Sequence, residues 1–163
     1  MRKIIFLAVA WGLIFLIADF KSAFSEEKSA VVVPTPLTKN VGDYYVSIGI
    51  FSIEDLKKSF PRAYKLLARY HGEPSKNDTH HLAVSIWKQD GGKMVYLSDL
   101  RVEAEVRSPI FRAVRKKLGK YPHQYGDNYG GWFDMSDKGL YHIAVIIKED
   151  GKNKRVDFDY LVQ

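Results

Sequence analysis

The segment Asp137-Lys138-Gly139-Leu140-Tyr141 has the pattern D-x-G-x-Y and stands just ahead of a strong alternating stretch. It constrains the fold more than any other feature of the chain. The pattern resembles the tyrosine corner of Greek-key β-sandwiches, in which a buried Tyr hydroxyl bonds a nearby backbone group and ties the crossing between two sheets. Glycine suits the tight turn because it lacks a Cβ. Alternation on both sides agrees. Tyr44, Val46, Ile48 and Ile50 fall on one face of 43–51, Leu82, Val84 and Ile86 on one face of 79–88, and Leu100, Val102, Ala104 and Val106 alternate with charged residues. The expected architecture is mainly β: an immunoglobulin-like Greek-key β-sandwich with Asp137, Gly139 and Tyr141 as its structural corner.

The remaining segments complete the outline. Ser52, with Asp55 three residues on, is a partial capping box. Pro61 then divides 52–70 into two short helices, a helical insertion at one end of the sandwich. Residues 71–78 read as loop from their Gly, Pro, Ser, Asn and Asp. Residues 89–92 form a turn. The apolar positions 110, 111, 114 and 118 fit a helical face better than a strand, 121–131 reads as a Gly/Tyr-rich loop, and 132–135 as a short strand. Residues 139–148 and 155–162 form a hairpin around Glu149-Asp150-Gly151-Lys152.

The N-terminus is an address. Arg2 and Lys3 precede an unbroken apolar run, 4–18, and Ala23 and Ser25 supply small residues after it. That order is the mark of a secretory signal peptide, expected to be cleaved after Ser25. The run is short for the roughly 20 residues of a membrane span; the alternative is an uncleaved N-terminal anchor. The organisation that follows is 1–25 signal peptide, 26–40 an extended tail interrupted by Pro34 and Pro36, and 41–163 the β-sandwich. The expected location is the periplasm or another extracytoplasmic space. With no cysteine among 163 residues, no disulfide supports the fold. The net charge of +6 is mild and spread along the chain, which argues against nucleic acid.

Enzyme motifs are missing. There is no Cys nucleophile, no G-x-S-x-G, no H-E-x-x-H and no P-loop, so a catalytic role is not expected. Asp157 and Asp159 share a strand face and read as a solvated surface. Histidine is the reactive inventory that remains: His71, His80, His81, His123 and His142. His80 and His81 are neighbours on a strand, point to opposite faces and cannot chelate one ion together. His80 shares the face of Leu82, and His81 that of Ala83 and Trp87. His142 is expected to face solvent. Met94 and Met135 offer thioethers, which suit copper(I).

The run His80-His81-Leu82-Ala83-Val84, the loop Pro122-His123-Gln124-Tyr125-Gly126-Asp127-Asn128 and the strand opening Gly139-Leu140-Tyr141 together resemble the periplasmic metal-binding β-sandwich proteins that accompany bacterial iron or copper uptake. The resemblance spans roughly residues 79–162. It implies His81, or His80 in another alignment, as the strand ligand of a copper site and His123 as its loop ligand. It also marks departures. The family's acidic ligand falls on Ala83, its Met on Lys116, and a late-loop His has no counterpart. A site rebuilt with Met135 or His71 is one outcome, and no site is another.

Two functions follow as expectations. One is an exported, non-enzymatic protein that binds or delivers copper or ferrous iron, with His81, His123, His80 and Met135 as candidate ligands. The other is a metal-free interaction module or extracytoplasmic subunit of a membrane complex, docking through the aromatics of 121–133 or serving a membrane transporter. In that second reading the same aromatics stand as a contact patch or fold inward as core.

Overall fold

The alternation is regular because every described strand pairs antiparallel with at least one neighbour, which satisfies its backbone while one face turns to the core. The structure, a computed structural model, describes residues 37–163; the expected signal peptide and the tail up to residue 36 lie outside the described residues. The elements run β1 (Leu37–Val41), β2 (Tyr44–Ser52), α1 (Ile53–Ser59), α2 (Pro61–His71), β3 (His80–Asp90), β4 (Lys93–Tyr96), β5 (Arg101–Arg107), β6 (Ala113–Lys117), β7 (Gly119–His123), β8 (Gly126–Phe133), β9 (Gly139–Glu149) and β10 (Lys152–Val162). One sheet has the order β1-β2-β3-β8-β7, with β4 paired to β3; the other has the order β10-β9-β5-β6. The two form a β-sandwich. The first strand begins at Leu37, so residues 37–40, expected within the tail, pair with β2 in register.

The core between the sheets is apolar throughout. Val46, Leu82, Val84 and Ile86 from the first sheet meet Val102, Ala104, Ile143, Val145 and Phe158 from the second. Burying one such aliphatic or aromatic side chain contributes roughly 1.5–3 kcal/mol. At the corner, Tyr141 is buried and its hydroxyl accepts the Asp137 backbone N–H at 3.0 Å. Gly139 has φ +128, and a Cβ there would lie 2.9 Å from Pro109 Cγ. Only glycine fits that turn.

The helical insertion forms as expected and then does something more. Ser52 caps α1: its hydroxyl accepts the Asp55 N–H at 3.0 Å and donates to the Asp55 carboxylate at 2.7 Å. Pro61 opens α2, where its missing N–H is harmless. The two helices lie on the outer face of the first sheet. Ile53, Leu56 and Leu67 pack there with Tyr121 and Trp132, making a second, smaller apolar layer.

Two expectations need correcting. The helical face over 110–118 is a turn followed by strand β6. Ser108 and Arg112 close the turn (N–H to carbonyl, 2.8 Å), and Phe111 turns the chain at φ +64. Ile110 and Phe111 are 65% and 82% exposed, so the apparent stripe is a turn tip plus one edge of a strand. Arg115 paired against Glu105 and Val114 against Val106 fix the register. The second correction concerns 121–131, expected as a loop. It is a hairpin, β7 against β8, turning at Gln124 and Tyr125. Trp132 and Phe133 end β8 and do not begin a separate strand. Its pattern was masked because both faces of β8 are covered and several positions are glycine.

Candidate metal centre

His81 stands on β3 opposite Trp132 of β8 and points to the outer face, as its parity with Ala83 requires. There it is not solvated. The end of α2 covers it, and His81 is 0% exposed. His71, the last residue of α2, lays its ring over that of His81 with centroids 5.2 Å apart and planes 26° from parallel. Tyr121 and Trp132 close the sides, meeting the His81 ring edge-on at 5.8 and 4.9 Å. Trp132 is itself pinned, donating its indole N–H to the Gly72 carbonyl at 2.8 Å.

Two glycines make the room. A Cβ at Gly119 would lie 2.8 Å from His71 Nδ1, and one at Gly130 would lie 2.7 Å from His81 Nε2. These residues face each other across β7 and β8. No other residue type leaves space for both imidazoles.

None of the four ring nitrogens of His71 and His81 has a hydrogen-bond partner among the described residues. Buried polar groups are normally paired, and each unpaired one costs about 1–3 kcal/mol. Burial, reinforced by the neighbouring His71, pushes the His81 pKa down to about 3; burial lowers His71 as well. Both rings are therefore neutral at pH 7, and each carries one bare lone pair. A groove of about 400 Å³, lined by His71, Glu73, Asp78, Lys116 and Trp132, opens on His71 from solvent; His81 does not line it.

The other expected ligands are elsewhere. His123 ends β7 opposite Gly126, while His81 pairs with Trp132. Those two partners stand at opposite ends of β8, about 20 Å apart along the strand. The joint His81–His123 site is therefore not assembled, and His123 packs beside Tyr125 instead, at 5.7 Å. His80 and Met135 do meet, in the wall of a separate groove of about 470 Å³ at the end of the sandwich. His80 Nδ1 is 2.9 Å from the Thr79 hydroxyl, and Met135 is 0% exposed in the main core. His142 is exposed, as expected, 2.5 Å from Asp159. Among the described residues no group of three or more His, Cys, Asp or Glu converges. Ala83 and Lys116, the positions noted as departures, supply no donors: the Lys116 ammonium donates to the Trp132 carbonyl at 2.6 Å and to Asp78 at 3.2 Å.

The pairing with His71 was visible in sequence only as one option. The signal lay in the helix, which ends at His71 just before Gly72, and in Gly119 and Gly130, which read as loop glycines.

No family model and no curated protein matches the chain. Solved structures do. A DUF4426 family protein from Pseudomonas aeruginosa aligns at 13% identity and TM-score 0.54, over 78% of this chain and 94% of its own. FetP from uropathogenic Escherichia coli strain F11 aligns at 13% identity and TM-score 0.54, over 80% and 93%. Copper-reconstituted P19 from Campylobacter jejuni aligns at 13% identity and TM-score 0.53, over 79% and 94%. This chain has the P19/FetP fold. At that identity the likeness is one of architecture, and it meets the resemblance drawn from the motifs of residues 79–162.

Proposed function

We propose that this chain is an exported, non-enzymatic metal-binding protein of the bacterial envelope, carrying copper or ferrous iron as cargo. One observation carries the reading: two stacked, neutral imidazoles, His71 and His81, with no partner for any ring nitrogen among the described residues, and His71 lining an open groove. Imidazole suits these metals, and an ion held there relieves what is otherwise an unexplained burial of polar atoms. The fold supports the reading, since P19 has been solved with copper bound. His80 and Met135 form a weaker alternative pair of donors in their own groove. His123 is not part of the primary site.

The test is a metal titration of wild type beside His71→Ala and His123→Ala, read by equilibrium dialysis and metal analysis. The proposal expects one equivalent bound by wild type and by His123→Ala, and a strongly weakened uptake by His71→Ala. Equal uptake by all three ends the proposal.

A second reading is favoured by a different surface. Ile110 and Phe111 project from the β5–β6 turn, and Leu140 and Leu161, paired in register on β9 and β10, are exposed as well. Such residues suit docking to a membrane complex or transporter. The aromatic segment 121–133 does not serve, because Tyr121, Tyr129, Trp132 and Phe133 are buried and Tyr125 alone among its aromatics is exposed. A stoichiometric partner recovered from detergent-solubilised membranes by wild type and lost with Phe111→Ser supports this reading; recovery independent of Phe111 removes it.

A further inference from the structure

The second sheet ends in an apolar tip. Gly139 opens β9 directly against Pro109, whose Cγ would lie 2.9 Å from a Cβ there. The β5–β6 turn is thereby fixed beside the start of β9, and Leu140 stands opposite Leu161 of β10. Ile110, Phe111, Leu140 and Leu161 therefore lie at the ends of three neighbouring strands, and all four are exposed. The free molecule gains nothing from this. Phe111 is 82% exposed and holds φ +64, a left-handed conformation that is unfavourable for residues with a Cβ. The turn is nonetheless well tied. The Ser108 N–H donates to the Arg112 carbonyl at 2.8 Å, the Phe111 N–H donates to the Ser108 carbonyl at 2.9 Å, and Arg112 pairs with Asp134 at 2.8 Å. A strained backbone that presents an aromatic ring to solvent points to an occupant.

We infer that this tip, granted the docking reading on which the inference rests, meets the lipid bilayer itself: Ile110 and Phe111 enter the interfacial layer, and Leu140 and Leu161 rest on it. Composition is the first reason. Protein hot spots favour Trp, Tyr and Arg, with Leu under-represented; this tip is Ile, Phe and two Leu, which suits an interfacial apolar face. Shape is the second. The tip projects, and a fluid acyl layer receives a projecting turn without a complementary pocket. The turn's paired amides also lower the cost of leaving water. Charge is the third. The rim is largely balanced, Arg112 by Asp134 and His142 by Asp159. Lys138, exposed beside Gly139, has no acidic partner among the described residues and is free to meet a lipid phosphate. Direction is the fourth. β1 is antiparallel to β2, whose last residue, Ser52, lines one groove with Lys138 and Val162. The chain therefore enters the sandwich from the tip's end, and the apolar run 4–18, where retained as an anchor, tethers the protein from that same end.

The test is co-sedimentation of the purified protein with vesicles of phosphatidylcholine alone and of phosphatidylcholine mixed with phosphatidylglycerol. Phe111→Gly and Phe111→Leu accompany wild type. Glycine suits φ +64, so Phe111→Gly keeps the fold while losing the ring, and circular dichroism checks it. All three proteins carry the same N-terminus, so their differences read the tip alone. Wild type is expected to bind neutral vesicles reversibly, with a constant on the order of 10⁴ M⁻¹ or below, the strength of a single acyl chain. Phe111→Gly should lower that constant at least about tenfold. Phe111→Leu should retain most of it, because lipid offers no shaped pocket. Anionic lipid should add no more than roughly fivefold, the contribution of one free Lys. Binding to anionic vesicles alone, or binding that Phe111→Gly leaves unchanged, overturns the inference. So does Phe111-dependent self-association without lipid, which assigns the tip to a second copy. A Phe111-dependent partner recovered from solubilised membranes, with no vesicle binding, overturns the lipid assignment and keeps the docking reading. Absence of both overturns both.

Discussion

The molecule has two apolar layers on either side of one sheet, and they are built on different terms. Between the sheets, Leu82, Val84, Ile86, Tyr141 and Phe158 form a core in which the buried polar atoms are paired; even the Tyr141 hydroxyl has its partner. On the outer face, beneath α1 and α2, the layer of Ile53, Leu56, Leu67, Tyr121 and Trp132 encloses two histidines whose nitrogens have no partner among the described residues. A layer that served stability alone would fill that space with Leu or Phe. The contrast marks the outer layer as the place where the fold holds an unfavourable arrangement for another purpose, and the predictions below test whether the two layers do differ in this way.

The largest effect belongs to the inner core. Phe158→Ala removes a buried ring and is expected to destabilise the protein by about 3–5 kcal/mol in urea unfolding. A loss below 1 kcal/mol means the sheets do not pack as described.

Next is the response to acid, which belongs to the outer layer. An imidazole in the unfolded chain titrates near 6.5, while burial holds folded His81 near 3. The folded state therefore binds fewer protons between these values, so stability falls as pH drops from 6.5 toward 3. From pH 7 to pH 5 the loss from His81 is about 2 kcal/mol, and the lowered His71 adds to it in the same direction. Unfolding midpoints at the two pH values measure it.

His81→Leu sharpens the contrast further. Replacing the unpaired ring by an apolar side chain is expected to leave stability at pH 7 unchanged, or to raise it by about 1 kcal/mol, and to flatten the acid response. A loss of several kcal/mol would mean that His81 is packed like any core residue. At the corner, Tyr141→Phe removes the hydroxyl that accepts the Asp137 N–H and should cost about 1 kcal/mol in urea unfolding.

The sandwich was legible in the chain because its strands obey a two-residue period that burial enforces: Val102, Ala104 and Val106 point inward between charged neighbours. The corner was legible from three residues. The β6 strand was not, since Ile110 and Phe111 imitate a helical stripe while projecting from a turn into solvent. The β7–β8 hairpin was hidden for a related reason. Gly119 and Gly130 read as loop, yet they are small because two imidazoles press on them. The candidate site was half legible. The outward direction of His81 follows from strand parity, and its departure from His123 follows from a register that only the pairing of β8 with β3 and β7 reveals. That α2 folds back to bring His71 onto His81 is a tertiary contact with no local signature.

The central claim is that the outer-layer imidazoles are the metal donors. Copper(I) is diamagnetic, so the ring nitrogens of all five histidines can be followed by long-range ¹H–¹⁵N correlation NMR before and after one equivalent is added. The account predicts that one nitrogen each of His71 and His81 shifts strongly, while those of His123 and His142 stay in place. Unmoved His71 and His81 resonances, with His123 or His80 shifting instead, would contradict it.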